Sequence, residues 1–405
     1  MSPTDFDFYA GIDWGSRSHT VCRIRADGRG RREREFPHSL QGLHALADFL
    51  GQDTDASAVA VAIELPRGAV VDLLQLKGFA VFTLNPKQLD RFRDRHTVSG
   101  AKDDRLDAYV LADALRTDRH KYTELAAPDE EALALRETTR RLETVQRELR
   151  RHTNRLWGCV NSLWPQLLAF CPGADEPWFW ALLERAAEPQ KAASVRRSQV
   201  RAILQRYGKR SVRAEDVIAV LKQGPLALRP VNEWLLLGDI ATYLPIIATL
   251  FAQAELCERH VRELAAEGGR LVEIVDSFKG IGPATAATLV GEAGQLLAAG
   301  ELAGLRMLAG TAPVTRRSGK SGIVTMRRAC NGRLRNAVRS WARTAITHDP
   351  LAHAHYQALR ERGKAHERAL RGVGDRLLAA LVAAIRRDEL YDPTRRISKS
   401  VGLET

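Results

Sequence analysis

Residues 9–24 read YAGIDWGSRSHTVCRI. A short apolar run ends on Asp13, a glycine and a serine follow, and a second β-rich stretch begins at His19. A carboxylate at a strand end, aimed at a tight turn, has three chemical uses. It can hold a metal ion, meet a nucleotide phosphate through one, or cap the turn. The flanking segments decide what sheet this strand joins. Tyr9 to Asp13, His19 to Arg25 and Arg31 to Phe36 predict three strands in a meander, with Asp27-Gly28-Arg29-Gly30 as the second turn. Leu40 to Leu50 places Leu43, Leu46, Phe49 and Leu50 on one side of a helix. Ala58 to Ile63 (AVAVAI) predicts a buried strand that stops at Glu64. Gly68 to Lys77 predicts a helix, Ala80 to Leu84 a strand halted by Asn85-Pro86, and Asp104 to Leu115 a further helix. Three strands followed by alternating helices and strands predict an α/β domain with a mixed sheet over residues 1–125.

Residues 126–272 predict a helical region. Leu142, Val145, Leu149, Leu156 and Leu163 keep a heptad spacing, with His152 and Cys159 at the weaker positions. The pattern fits a coiled-coil seam or an ordinary two-helix packing face equally well. Arg136, Arg140, Arg141, Arg147, Arg150, Arg151 and Arg155 decorate the same helix, as a solvated face or as a surface for a phosphate backbone. Cys171 to Pro230 reads as loops and short helices, and Ile240 to Leu271 as a long helix antiparallel to the first. Residues 273–395 form a third, mainly helical region, followed by a tail, 396–405. In it, Gly280-Ile281-Gly282-Pro283 opens a helix, which suits either a phosphate site or a plain helical junction. From Leu302 to His348 there are ten Lys/Arg and no Asp or Glu, the most one-sided charge in the chain.

The whole chain of 405 residues has a formal net charge of +12, which argues for a polyanionic partner, above all nucleic acid. No signal peptide and no membrane span are expected: the first ten residues hold two acids and no basic cluster, and no apolar run of about 18 residues is apparent. Cys22, Cys159, Cys171, Cys257 and Cys330 lie far apart, which argues against structural zinc and a disulfide framework and for a reducing cytoplasm.

Four acids frame the chemistry. Asp13 and Glu64 end strands, and Asp104 and Asp107 share one helix face, three residues apart in KDDRLDA. Like charges so spaced repel unless a cation lies between them, and magnesium prefers such oxygen ligands. Taken singly, each has a plainer role: Asp13 a turn cap, Glu64 a surface strand end, Asp103 and Asp104 an N-cap pair, Asp107 an exposed partner of Arg105 or Lys102.

Taken in order, GIDWGS, AIELPRG, FTLNP and SGAKDDRLDA, and then FKGIGPATAATLVGEAG, LAGTAPVTRRSGKSG and RRACNGRLRNAV, the chain resembles the DEDD transposases of bacterial insertion sequences, the group numbered one hundred and ten. The resemblance covers nearly the whole chain. It implies an N-terminal RuvC-like domain of the RNase H fold, a central coiled-coil region and a C-terminal transposase domain. By motif it implies Mg2+, as two ions, at Asp13, Glu64, Asp104 and Asp107, with Asp103 outside the set. One departure is Leu65-Pro66-Arg67-Gly68, where many members have Thr-Gly soon after the glutamate. The resemblance implies a serine nucleophile at Ser318, with Ser321 as its rival. Arg316, Arg317 and Lys320 would hold the scissile phosphate, and Arg327, Arg328, Arg333 and Arg335 are further nucleic-acid candidates.

The function so implied is RNA-guided DNA recombination. Ser318 attacks a DNA phosphate, a phosphoserine link forms, and donor and target DNA are rejoined. A structured noncoding RNA pairs with both DNAs. A homo-oligomer, dimer or tetramer, assembles acids and serine from different protomers into a composite active site, with the heptad helix as one contact. The bacterial protein would act in the cytoplasm at the nucleoid. A metal-dependent nuclease or junction resolvase using water is the competing enzyme. A sugar kinase or actin-like ATPase would need a second Gly-rich phosphate loop, which is absent from the sequence. A non-catalytic scaffold would leave the four acids unexplained.

Overall fold

The computed structural model describes residues 6–65, 67–84, 89, 92, 103–122, 124–125, 129–186, 188–318 and 321–393. It divides into two compact units, Met1–Pro128 and Asp129–Thr405.

In the first unit five strands form one sheet: β1 (Phe8–Trp14), β2 (Ser18–Arg25), β3 (Arg32–Pro37), β4 (Val59–Ile63) and β5 (Ala80–Thr83). Their order is β3-β2-β1-β4-β5. β1 is antiparallel to β2 and parallel to β4, and β4 is parallel to β5, so the sheet is mixed as expected. Alternation along the strands divides the core in two. Ala10, Ile12, Val21, Val59, Val61 and Val81 pack on one face with α1 (Leu40–Leu50) and α2 (Ala69–Leu76). Cys22, Ile24, Ala60, Ala62 and Phe82 pack on the other with α3 (Asp104–Asp118). The alanines of β4 on that face leave room for α3 to lie close.

The second unit is built on two long helices, α4 (Glu130–Leu163) and, after a module of four short helices, α9 (Pro230–Glu267). The module comprises α5 (Pro177–Ala186), α6 (Pro189–Ser194), α7 (Arg197–Arg206) and α8 (Ala214–Gln223). Leu142 shares a core with Ala254, Cys257 and Val261, whereas Leu156 shares one with Ile240, Leu244 and Ile247, so the pair is antiparallel. The heptad residues Leu142, Leu156 and Leu163 are buried within this one chain. Of the two readings of the heptads, the packing face of a helix pair is thus filled within the chain. The region read as loops and short helices does form short helices, folded around Trp164, Trp178, Phe179 and Trp180, whose rings bury enough area to organise them.

One helix, α9, is long and apolar enough on average to cross a membrane by length and composition, although Asp239, Thr242 and Thr249 interrupt its apolar residues. Its packing places it elsewhere. It lies along α4, which carries Arg147, Arg150, Arg151 and Arg155 on the stretch it would take into lipid, and such charges are costly there.

The remaining elements are α10 (Arg270–Asp276), α11 (Pro283–Ala298), α12 (Leu302–Leu308), strands β6 (Val314–Ser318) and β7 (Ser321–Thr325), α13 (Gly332–His348), α14 (Pro350–Glu361) and α15 (His366–Arg387). The helices among them enclose Trp341 with Phe278, Leu289, Leu378 and Leu381. In the GIG motif, Gly280 has φ +78°, and a Cβ there would lie 2.8 Å from the Ala345 amide nitrogen. Close packing on α13 thus accounts for this glycine.

Candidate active site

A helix laid tightly on a strand sets the ends of β1 and β4 and the first turn of α3 toward one end of the sheet. A Cβ on Gly11 would stand 2.1 Å from the Ala108 carbonyl oxygen and 2.6 Å from the Ala112 nitrogen, so α3 crosses β1 where only glycine fits. At the other end of α3, the Arg116 guanidinium carbon lies 3.4 Å from the Cβ site of Gly28, in the turn beyond Arg25. Arg25 pairs with Phe8, at the start of β1. The helix therefore runs opposite to β1, and its first turn, with Asp104 and Asp107, lies at the end where β1 and β4 finish. Ile12 is paired with Ile63, which puts Asp13 and Glu64 one step further along adjacent parallel strands. By alternation both positions fall on the α3 side.

Burial grades the set. Asp107 is 4% exposed, Asp13 and Glu64 are half-buried, and Asp104 is exposed. Asp103 caps the helix, its carboxylate accepting a hydrogen bond from the Arg105 amide at 3.1 Å. Asp113, six residues beyond Asp107, is held by Arg116 Nε and Nη2 at 3.0 and 2.6 Å. Among the described residues no three His, Cys, Asp or Glu side chains close into a metal cage. The all-oxygen donor set at one end of the sheet nonetheless has the chemistry that magnesium takes.

Two neighbours escaped the sequence reading. Trp14 follows Asp13 and is 43% exposed, a large ring kept at the surface. The buried His19, across β2, shares a 2.8 Å hydrogen bond with His38 on the face opposite α3. Burial, and then His38, hold the His19 pKa below its ordinary value. The tryptophan is visible in the GIDWGS motif, but its exposure depends on where β1 ends.

The serine candidates lie on the β6–β7 hairpin, an element absent from the mainly helical expectation. Ser318 and Ser321 are register partners at the end of the ladder. Gly319 and Lys320 lie outside the described residues, as do the side chains of Arg316, Arg317, Ser318 and Ser321. Of the other basic candidates, Arg328 is exposed and Arg327 half-buried. Arg333 is committed to Glu143 of α4 at 2.6 Å, and Arg335 lies 3.6 Å from the Cys330 sulfur. Arg306 pairs with Asp375 at 2.8 Å, and Arg339 pairs with Glu367. The cationic stretch is therefore partly offset by acids from distant segments, which its local sequence conceals.

At the start of α13, beyond this hairpin in the chain, lies a buried polar junction. Glu292 of α11 accepts from Arg140 Nε and Nη2 at 2.7 and 2.9 Å and from Asn331 Nδ2 at 2.7 Å. Asn331 in turn caps α13 through the amides of Arg333 and Leu334. Burial pushes the Glu292 carboxyl up, but these hydrogen bonds and the two arginines outweigh it and hold the group below the usual carboxylate range.

Both blocks match transposase family models. Residues 10–165 match the DEDD transposase model named for IS110, and residues 272–357 match a model described as "Transposase IS116/IS110/IS902 family". A mini-circle protein of Streptomyces coelicolor, named as a transposase for IS117, is 32% identical over 401 residues, covering 96% of each chain. The chain belongs to the IS110/IS116/IS902 transposase family. A Sinorhizobium fredii protein named as transposase y4uE is 41% identical over 202 residues, which span 49% of this chain and 56% of that protein. An IS110 protein of Streptomyces coelicolor is 26% identical over 96% of each chain. As a member of this family of transposases, the protein is an enzyme that acts on DNA.

Proposed function

We propose that this transposase recombines DNA through a phosphoserine intermediate formed by Ser318, with a pair of magnesium ions held by Asp13, Glu64, Asp104 and Asp107. The observation that carries the reading is the meeting of two strand ends and the first turn of α3 at one end of the sheet. The order β3-β2-β1-β4-β5, with one antiparallel meander and two parallel additions, supports an RNase H-like, RuvC-type assignment for the first unit. When bound, the ions would polarise a phosphoryl oxygen. The hydroxyl of Ser318 attacks phosphorus, its proton leaves to solvent or a base, and the displaced sugar oxygen departs, so one phosphodiester is exchanged for another and the bond energy is kept for religation. Arg316, Arg317 and Lys320, its neighbours in sequence, and Arg328 would supply positive charge to the phosphate. Guidance by a structured noncoding RNA, and action at the nucleoid, rest on the resemblance.

For the oligomer contact, α9 offers a surface in addition to the α4 heptads. Val231, Leu235, Gly238, Thr242, Pro245, Thr249, Ala252 and Leu256 form an exposed heptad stripe. Within it, Leu235, Thr242, Thr249 and Leu256 recur every seven residues and read alike from either end. A stripe with that symmetry can pair with itself about a two-fold axis. A second copy of this chain, as a dimer or within a tetramer, is the occupant.

The test is to trap the adduct. Purified protein, junction DNA of its element, the flanking noncoding RNA and magnesium are incubated and run on a denaturing gel. A protein–DNA adduct lost in Ser318→Ala and in Asp13→Ala is expected. Cleavage without adduct that persists in Ser318→Ala would replace the serine reading with a water-using nuclease. Magnesium should also raise the thermal midpoint of the wild type, and the rise should shrink in Asp107→Asn.

A further inference from the structure

The four-helix module carries a charge pattern that the active site does not use. From Val195 to Arg213 the chain reads VRRSQVRAILQRYGKRSVR, with seven Lys/Arg and no Asp or Glu. Its fold sorts these residues cleanly. Val200, Ile203 and Leu204 of α7, and Val217 and Leu221 of α8, are buried in the central core. Arg196, Arg197, Arg201, Arg206, Arg210 and Arg213 are left exposed. Gly208, at φ +63°, ends α7, and the Lys209 amide closes back on the Leu204 carbonyl at 2.8 Å. Lys209 itself is an anchor, bound to Glu176 at 2.6 and 2.7 Å.

Few carboxylates answer this charge. Arg197 and Arg201 share Glu215, and Arg213 pairs with Asp216 at 2.8 and 2.9 Å. Among the described residues, no acid lies within ion-pair distance of Arg196, Arg206 or Arg210. Between α7 and α8 opens a cavity of about 420 Å³, lined by Arg201, Gln205, Lys209, Arg210, Arg213 and Glu215. Beside it, Tyr207 is 40% exposed, with the Arg206 guanidinium 5.4 Å from its ring centre. Surplus guanidinium charge around a concave surface, next to an exposed aromatic ring, is the combination that holds a polynucleotide by phosphate and by base. A duplex keeps its bases stacked inside, so the ring has a use only with an unpaired strand.

We propose that the turn between α7 and α8 binds an unpaired nucleic-acid strand, its phosphates seated against Arg201, Arg210 and Arg213 and one base stacked on Tyr207. The site rests on the protein being a nucleic-acid enzyme and is independent of the serine chemistry. An RNA loop and a single DNA strand opened during exchange offer the same groups, and the experiment separates them.

Full-length protein is titrated, without magnesium, against labelled oligothymidine, oligouridine and a blunt DNA duplex over a salt series. Strands bearing thiothymidine or thiouridine are photo-crosslinked to it in parallel. The crosslink should map to the peptide holding Tyr207. Tyr207→Ala should weaken binding of an unpaired strand about ten-fold, with Tyr207→Phe restoring it. Arg210→Ala should lower the slope of log affinity against log salt by about 0.7. Loss confined to oligouridine assigns the site to RNA, and loss confined to oligothymidine assigns it to DNA. Unchanged affinity in both Tyr207→Ala and Arg210→Ala, with crosslinks elsewhere, overturns the site and leaves adduct formation by Ser318 untouched. These side chains are exposed, and an unchanged thermal midpoint confirms that each variant is folded.

Discussion

Gly11 shows how one missing side chain builds the acidic end of the sheet. Any Cβ there would collide with the backbone of α3, and backbone cannot yield as a side-chain tip can. Gly11→Ala should therefore push α3 away, at a cost of about 1–3 kcal/mol by urea unfolding, and lower the magnesium-induced thermal shift because Asp104 and Asp107 move with the helix. At the same scale, Glu292 ties Arg140 to Asn331 from a position only 2% exposed. Arg140→Ala would strand that carboxylate and should cost about 3 kcal/mol. The pH dependence follows from the direction of its shift. The folded protein holds the Glu292 proton less tightly than the unfolded chain does. Its contribution is thus complete above the ordinary carboxylate range and is lost as pH falls through the lower folded value. Urea midpoints measured between neutral and acid pH should fall less steeply in Glu292→Gln than in the wild type. An identical fall would remove Glu292 from the acid response. Asp13 and Glu64 were readable as strand ends from pattern alone. Glu292 was not, because its partners are 152 and 39 residues away.

The elements show where sequence pattern succeeds and where it misleads. Strands β1 to β5 and helix α1 were legible because alternation and amphipathic spacing are local signals. The heptads of α4 were equally legible, but a heptad does not state whose helix fills it. The structure fills it with α9 from the same chain and leaves a second heptad stripe on the outer face of α9. A helix apolar all round wants cover on every side, and α4 covers only one. Trp234, 71% exposed next to Leu235, marks the uncovered side. Leu235→Asp combined with Leu256→Asp places charges at both symmetric ends of the stripe and spares the buried seam. Light scattering should then report a mass reduced by about half, with helical content unchanged, as expected for breaking one isologous contact. An unchanged mass would clear α9 of any role in pairing. The β6–β7 hairpin failed the sequence reading for another reason. Two strands of five residues joined by Gly-Lys give too short an alternation to stand out among helices.

At the scale of the whole molecule, the acids and the serine belong to different compact units, Met1–Pro128 and Asp129–Thr405. Whether they act from one chain or from two is decided by complementation. Asp13→Ala protein keeps its serine, and Ser318→Ala protein keeps its acids. If each active site takes acids from one protomer and serine from the other, a mixed dimer contains one site in which every group is intact. The opposite site carries both lesions. Random mixing in equal amounts makes half the dimers mixed, so recombination should return to about a quarter of the wild-type level. If each site is built within a single chain, no mixture contains an intact one, and activity stays at the level of either variant alone. The mixture must be allowed to exchange protomers, which co-expression achieves. The α9 substitutions then serve as a control. A mixture that recovers activity should lose it again when Leu235→Asp and Leu256→Asp are added to both chains, provided pairing through α9 is what brings the two protomers together. Recovery that survives those substitutions would keep the composite site but assign its assembly to another surface.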